Sequence, residues 1–323
     1  MEIFKSNKIY DFMGKSKLFI SISLILILAS YTLLFTKGLN FGIDFTGGTI
    51  VQVRYERNVD LKKIREALRK NPIFKDASVT KFGSDKEIII RVNSSSKSVK
   101  KDIGDEAKEA LKTTGSFEIR RVDIIGPKVG SELREKGMMA AIIAIIGILI
   151  YVSIRFEFRF AIASVLALVH DVSIAMGAIS LFNVSFNLDI LAAILTILGY
   201  SLNDTIIVFD RIREEVIASK SNNLFEVINS SVTKTLSRTT LTSLTTFFVV
   251  LTLFLFGGEI IKGFSFTMLV GVVVGTYSSI FVASPLLKWL GFDIEKYRAK
   301  LAQKRKREQE KQRLRSMYEQ GVV

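Results

Sequence analysis

A single aspartate inside a long apolar run constrains this chain more than any other feature. Leu188 to Phe209 is long enough, at about 1.5 Å of rise per residue, to cross a hydrocarbon layer roughly 30 Å thick as a helix. Asp204, in the stretch Gly199-Tyr200-Ser201-Leu202-Asn203-Asp204-Thr205, therefore lies within a membrane helix. A carboxylate there costs roughly 2.5 to 3.5 kcal/mol even on insertion-based scales, so it is kept only with a partner, a water path or a task. The next apolar segment offers a partner of opposite charge, Arg238.

The chain of 323 residues is 49% hydrophobic and 24% charged, and its mean hydropathy is positive. Apolar and charged residues must then be segregated, as in a multi-span membrane protein with soluble parts. With no cysteine, neither disulfides nor thiolate metal sites are available, and the one histidine, His170, excludes a multi-histidine metal centre. The formal charge of +14 concentrates at Lys5, Lys8, Lys15 and Lys17 and in a C-terminal tail. Both flank apolar helices, so a membrane explains the charge before nucleic acid does.

Residues 1–17 read as a polar N-terminal segment and 18–36 as a first, uncleaved span, since no small-residue cleavage site follows its apolar run. Residues 37–135 are soluble in character. Phe41 to Tyr55 is β-rich and interrupted at Thr46-Gly47-Gly48. Asp60 to Lys70 is a helix with Leu61, Ile64 and Leu68 on one face and Asp60 as N-cap. Strands are predicted at Ala77 to Phe82 and Glu87 to Asn93 around a Gly83-Ser84-Asp85 turn, then a helix from Ser98 to Lys112 and a strand from Ser116 to Ile125. The order βαββαβ is that of a ferredoxin-like domain.

Residues 136–289 hold five further spans. A short polar helix after Pro127 leads into Gly137 to Ile154; Phe160 to Phe182 follows with His170-Asp171 near its middle; an uncharged link, Asn183 to Asn187, leads to the Asp204 span. The spacing of Leu224, Phe225, Val227, Ile228 and Val232 within 210–235 predicts an amphipathic helix on the membrane surface. Leu236 to Phe256 and Phe264 to Leu287 complete the set; Gly271, Gly275 and Ser279 form a small-residue stripe for close helix approach, and Trp289 an interface anchor. Residues 290–323 form a basic tail, read as a solvated or lipid-facing helix. The expected fold is thus a six-helix transmembrane bundle with an inserted α+β domain. The Lys and Arg clusters at 5–17, 155–159, 211–234 and 288–315 fall on the side of the termini, which predicts both termini in the cytoplasm.

Asp204 lies about 9 Å before Asp210 along its helix, and Arg238 about 6 Å after Lys234, so the two are expected at similar depth. At 4 Å and an effective dielectric of 20 their attraction is on the order of 4 kcal/mol, close to the cost of burying either. Withdrawing the arginine favours proton uptake, and a charge crossing 100 mV supplies about 2.3 kcal/mol towards such a switch. A fixed structural bridge is the alternative. Thr235, Thr239, Thr242, Thr245 and Thr246 give the Arg238 span a polar face for a hydrated path. Asp171 either shares the proton path or binds a neighbouring helix; Asn203 is a further candidate for the path. Gly47-Gly48 reads as a bulge or turn, because no Lys-Ser/Thr follows to make a phosphate loop. An aspartyl intramembrane protease is disfavoured: Asp171 and Asp204 sit at different depths, and neither lies in a Gly-x-Gly-Asp element.

Several stretches together resemble one family, the SecF family of bacterial protein-export membrane proteins. They are Tyr10-Asp11-Phe12-Met13, Gly42-Ile43-Asp44-Phe45-Thr46-Gly47-Gly48-Thr49, Gly126-Pro127-Lys128-Val129-Gly130, His170-Asp171-Val172, Gly199 to Asp204 with Asp210-Arg211-Ile212-Arg213-Glu214, Phe256-Gly257-Gly258, and Gly263 to Gly271. They run in order over the chain up to about Gly291, with Asp44, Gly47 and Gly48 at the centre of one motif. The resemblance implies half of a resistance-nodulation-division-type transporter in the bacterial plasma membrane, paired with SecD. It implies proton flow, with no bound cofactor and no enzymatic reaction, used to help unfolded preproteins finish crossing beside the SecYEG channel. The family's fourth-span aspartate falls on Asp204 and its fifth-span arginine on Arg238; a further carboxylate of the path belongs to SecD. Half of a small-molecule or lipid exporter, and a non-transporting scaffold of the channel, are the competing functions.

Overall fold

A segment in lipid must satisfy every backbone amide internally, which leaves helix as the form for an apolar stretch of this length. The computed structural model describes residues 8–93 and 103–319 and contains six such helices among them. They are α1 (Ser16–Thr36), α5 (Pro127–Arg155), α6 (Phe158–Leu181), α7 (Leu188–Ala218), α8 (Leu224–Phe256) and a sixth span made of α9 (Gly258–Ser278), a π-turn (Ser279–Ala283) and α10 (Ser284–Trp289). In α6, α7 and the sixth span 56%, 50% and 56% of the spanning residues are buried, against 11% in α1 and α5 and 17% in α8. The first three therefore form the centre of the bundle.

A Cβ on Gly271 would stand 2.3 Å from Ile197 Cδ1, and one on Gly275 3.0 Å from Ser201 Cβ, so α9 lies against α7 at a distance only glycine permits. Trp289 is exposed at the end of the sixth span.

The segment 210–235 is a correction. It is no surface helix: Asp210 to Ala218 continues α7, Leu224 to Thr235 begins α8, and only Ser219 to Asn223 lie between. Val227, Ile228 and Val232 pack with Ile212 and Val216, while Glu215 accepts from Lys234 Nζ at 2.6 Å and Ser230 Oγ at 3.0 Å. The apolar period belongs to a seam between two helices. The polar helix expected before the second span is likewise continuous with it in α5. The tail helix α11 (Ile294–Glu319) is clamped by Arg298, which donates to Val216 O, Ser219 O, Ser221 O and Asn222 Oδ1.

Opposite the termini sits the inserted domain, a sheet of β2 (Gly48–Tyr55), β3 (Ser78–Phe82), β4 (Ser84–Asn93) and β5 (Phe117–Ile125) in the order β3-β4-β2-β5, all neighbours antiparallel. Val51, Val53, Ile88 and Ile90 pack with Ile64 and Leu68 of α3 (Leu61–Arg69) and with Ala107 and Leu111 of α4 (Ile103–Leu111), the ferredoxin-like arrangement. Asp60 caps α3 by accepting from Lys62 N at 2.9 Å. The helix predicted from Ser98 begins outside the described residues.

The stretch Phe41 to Tyr55 also departs from expectation. It opens with β1 (Asn40–Phe41), makes one helical turn, α2 (Ile43–Thr46), and only then becomes β2. The uncharged link Asn183 to Asn187 contains β6 (Ser185–Phe186), parallel to β1, with Gly42 N donating to Phe186 O at 2.7 Å. Phe41, Phe45 and Phe186 stack around this joint. The base of the sheet domain is thereby fixed to the start of α7.

Candidate functional site

Asp204 faces the centre of the bundle and is 1% exposed. Ser243 of α8 donates to its Oδ2 at 3.0 Å; its Oδ1 has no hydrogen-bond partner among the described residues. Thr276 of α9 stands 2.8 Å from Ser243 Oγ. Thr235, Thr239 and Ser243 recur every four residues on α8 and all are buried towards α7 and α9. The two threonines bond to carbonyls of their own helix, leaving Ser243 as the hydroxyl that crosses to the acid.

Arg238 does not meet Asp204. It is exposed, five residues before Ser243, which places it about 7.5 Å along α8 and some 140° around it. Its side chain has no hydrogen bond or ion pair among the described residues. The rungs Glu215 to Lys234 and Asp204 to Ser243 set the register between α7 and α8, and Arg238 falls between them. The expected polar face of α8 is accordingly split: Thr235, Thr239 and Ser243 point inward, Arg238 and Thr245 outward, with Thr242 half-buried. Asn203, the other candidate beside Asp204, is exposed and unpartnered among the described residues.

Asp171 is fully buried and fully engaged. Its Oδ1 lies 2.8 Å from His170 Nδ1, and its Oδ2 accepts from Ser201 of α7 and from Ser278 of α9, the latter at 2.8 Å. It binds three helices together, the helix-joining role among the two expected for it. His170 stacks on Tyr277, whose hydroxyl donates to Phe19 O of α1. Among the described residues, no three His, Asp or Glu side chains converge to hold a metal ion.

The Asp44, Gly47, Gly48 motif forms the joint beneath the sheet domain. Asp44 Oδ2 accepts from Leu188 N, the first amide of α7, at 3.0 Å, which satisfies an amide that the helix cannot. Gly47 has φ of 73° and lies so close to α5 that a Cβ there would stand 2.8 Å from Pro127 Cα. Gly48 opens β2, paired with Asn93 and Ile125.

The family model for the C-terminal part of the protein export membrane proteins SecD and SecF matches residues 106–293, and the model for the SecD/SecF GG motif matches 32–59. A protein translocase subunit SecF from Helicobacter pylori strain 26695 is 48% identical over 323 residues, covering all of both chains; one from Escherichia coli O157:H7 is 40% identical over 292 residues, 90% of each. The chain belongs to the SecF family. Among solved structures, SecDF of Thermus thermophilus, titled a translocon-associated membrane protein, aligns at 35% identity with a TM-score of 0.80 over 88% of this chain. A SecDF structure titled as the super-membrane-facing form aligns at 33% identity and 0.67 over 94%. The chain spans 39% and 41% of those two SecDF chains.

Within this SecF-family chain, sequence reasoning found the acids and the arginine but missed the hydroxyls that hold the acids: Ser243 and Thr276 for Asp204, Ser201 and Ser278 for Asp171. The signal available was spacing. Ser201 stands one turn before Asp204, and Ser243 continues the row of Thr235 and Thr239.

Proposed function

We propose that the chain is a proton-coupled subunit of the bacterial protein-export machinery, acting in the plasma membrane with a SecD-type partner. It would help unfolded preproteins finish crossing beside a SecYEG-type channel. The relatives named as translocase subunits and the SecDF match support the export role. One observation carries the proton coupling: Asp204 is a buried acid with a hydroxyl on one oxygen and, among the described residues, no hydrogen-bond partner on the other and no ion pair. A permanent anion would keep a counter-charge; an acid that gains and loses a proton need not.

In this reading the structure holds the state in which Arg238 is turned away. Ionisation of Asp204 attracts Arg238 through a rotation of α8 about its axis, in a pairing worth on the order of 4 kcal/mol. Protonation releases it, and a proton descending 100 mV adds about 2.3 kcal/mol of bias. The partner covers the outer face of α8 and provides the water or acidic group that Arg238 meets when released. Movement of α7 reaches the sheet domain through Leu188 and Asp44. The basic clusters favour both termini in the cytoplasm and the sheet domain on the outer side.

The test is Asp204→Asn in cells that depend on this subunit. The complex should assemble and the stimulation of export by the proton gradient should be lost. Normal preprotein secretion in that variant ends the proton-coupling reading and leaves the scaffold role.

A further inference from the structure

Only the first two turns of α11 are packed into the body of the molecule. Ile294 and Tyr297 are buried in one cluster with Phe160, Ile212 and Val216, and Leu301 is half-buried beside them. Residues 302–313 are all exposed. From Gln303 to Arg313 every residue is Lys, Arg, Glu or Gln, side chains that favour helix without a neighbour to pack on and that offer lipid tails no apolar face. Between Lys296 and Arg315 ten Lys and Arg stand against two Glu. A rigid, strongly cationic helix is thus held by its root alone.

The bonds at that root fix how the helix lies. Glu295 accepts from Asn222 Nδ2 at 2.6 Å, and Arg298 holds Ser219 O and Ser221 O, all in the link between α7 and α8. Two residues further on, Lys300 Nζ donates to Glu157 Oε1 at 2.9 Å, in the connection between α5 and α6. The helix therefore crosses the end of α7 from one link to the other. Because α5 stands at the rim of the bundle, the crossing carries residues 302–319 out from beneath it, about 27 Å of helix. At about 100° per residue, Lys300, Lys304, Arg307, Lys311 and Arg315 lie within about 80° of one another, and Glu308 and Glu310 fall outside that arc. Lys300 of this stripe reaches the end of α5, so the stripe is the side of α11 turned to the membrane.

We propose that α11 is an electrostatic strut that rests on the anionic phospholipid headgroups of the leaflet on the side of the termini. Charge and position together select this partner. The headgroup layer is the nearest anionic surface to a helix so held, and a row of five cations meets it without entering the hydrocarbon. With α11 docked, Arg298 ties the link between α7 and α8 to the leaflet.

The chain has no cysteine, so Gln312→Cys accepts a single fluorophore, to be read in the full chain reconstituted with its partner subunit. In vesicles of one part phosphatidylglycerol to three parts phosphatidylcholine, nitroxides on the phosphatidylcholine headgroups should quench the label. The quenching should fall in 1 M salt to the level of pure phosphatidylcholine vesicles. Lys304→Gln, Arg307→Gln and Lys311→Gln together should lower the ratio of docked to undocked helix by about a hundredfold, at about fivefold per charge, and glutamine keeps the helix. Removing the same charge from the other side, as Arg305→Gln, Lys306→Gln and Arg313→Gln, should leave most of the quenching. Equal quenching with and without phosphatidylglycerol overturns the proposal, as does an equal loss in the two triple variants. Ribosomes that shield the label from an aqueous quencher, with lipid charge making no difference, would assign the helix to RNA instead. Neither protons nor preprotein are read here, so a failure is distinct from a failure of the proton-coupling reading.

Discussion

Side chains of the same type are put to different uses within two turns of this bundle. Asp171 accepts from Ser201 and Ser278 and meets His170 Nδ1, joining α6, α7 and α9, so its removal strands the Ser201 hydroxyl. Asp171→Ala should lower stability by roughly 1 to 3 kcal/mol for Ser201 left unpaired, seen as an earlier unfolding transition in detergent, while Ser278 keeps its bond to Gly275 O. Arg238→Ala should leave that transition in place, because the exposed side chain makes no hydrogen bond or ion pair among the described residues, yet abolish stimulated export under the proposed mechanism. Outside the membrane, Asp11 accepts from Gly14 N and from Asn229 Nδ2, and these bonds hold its carboxyl below the ordinary carboxylate range. A lowered value means the native state prefers the ionised form. The contribution is full above the unfolded value of about 4 and disappears as the pH falls through the lower folded one. The protection factors of the 10–14 amides should therefore stay constant near neutral pH and fall only in acid, while Asp11→Ala lowers them at neutral pH as well.

At the level of elements, α7 and α9 depend on what Gly271 lacks. Gly271→Val must displace Ile197, an overpacking that costs about 1 to 3 kcal/mol; Gly275→Ala, facing Ser201 at 3.0 Å, should cost less, and pairing Gly271→Val with Ile197→Ala should recover part of the loss. Unfolding midpoints of the three variants check the order. The spans and the sheet strands were legible in the sequence because length, apolarity and alternation suffice to specify them, and Gly271 and Gly275 announced their contact by spacing alone. Two features were not. The periodic apolar residues from Leu224 to Val232 fit a lipid surface and a helix seam equally well, since both need the same 3.6-residue period. Counting from Lys234 gives the depth of Arg238 only if that lysine marks the water boundary, whereas Lys234 is one rung of the α7 and α8 pair, bonded to Glu215. Ser243 and Thr276 escaped notice because hydroxyls in membrane helices usually bond to their own backbone, as Thr235 and Thr239 do.

For the molecule as a whole, the base of the sheet domain and the buried Asp204 are 16 residues apart along α7, from Leu188 to Asp204. A continuous helix transmits displacement over such a length with little loss, and Asp44 is the pin at its far end. Asp44→Ala should reduce export while leaving the complex assembled, a separation that secretion assays and co-purification of the partner subunit from the same membranes would reveal. The outward guanidinium of Arg238 on α8 bears on how the subunit is made as well as on how it works. A newly inserted copy that finds no companion presents a positive charge to hydrocarbon, which is the kind of surface that membrane quality control removes. Synthesis of the two subunits should then be matched in dosage, and in a pulse-chase experiment a surplus of this chain should decay quickly unless its companion is produced alongside.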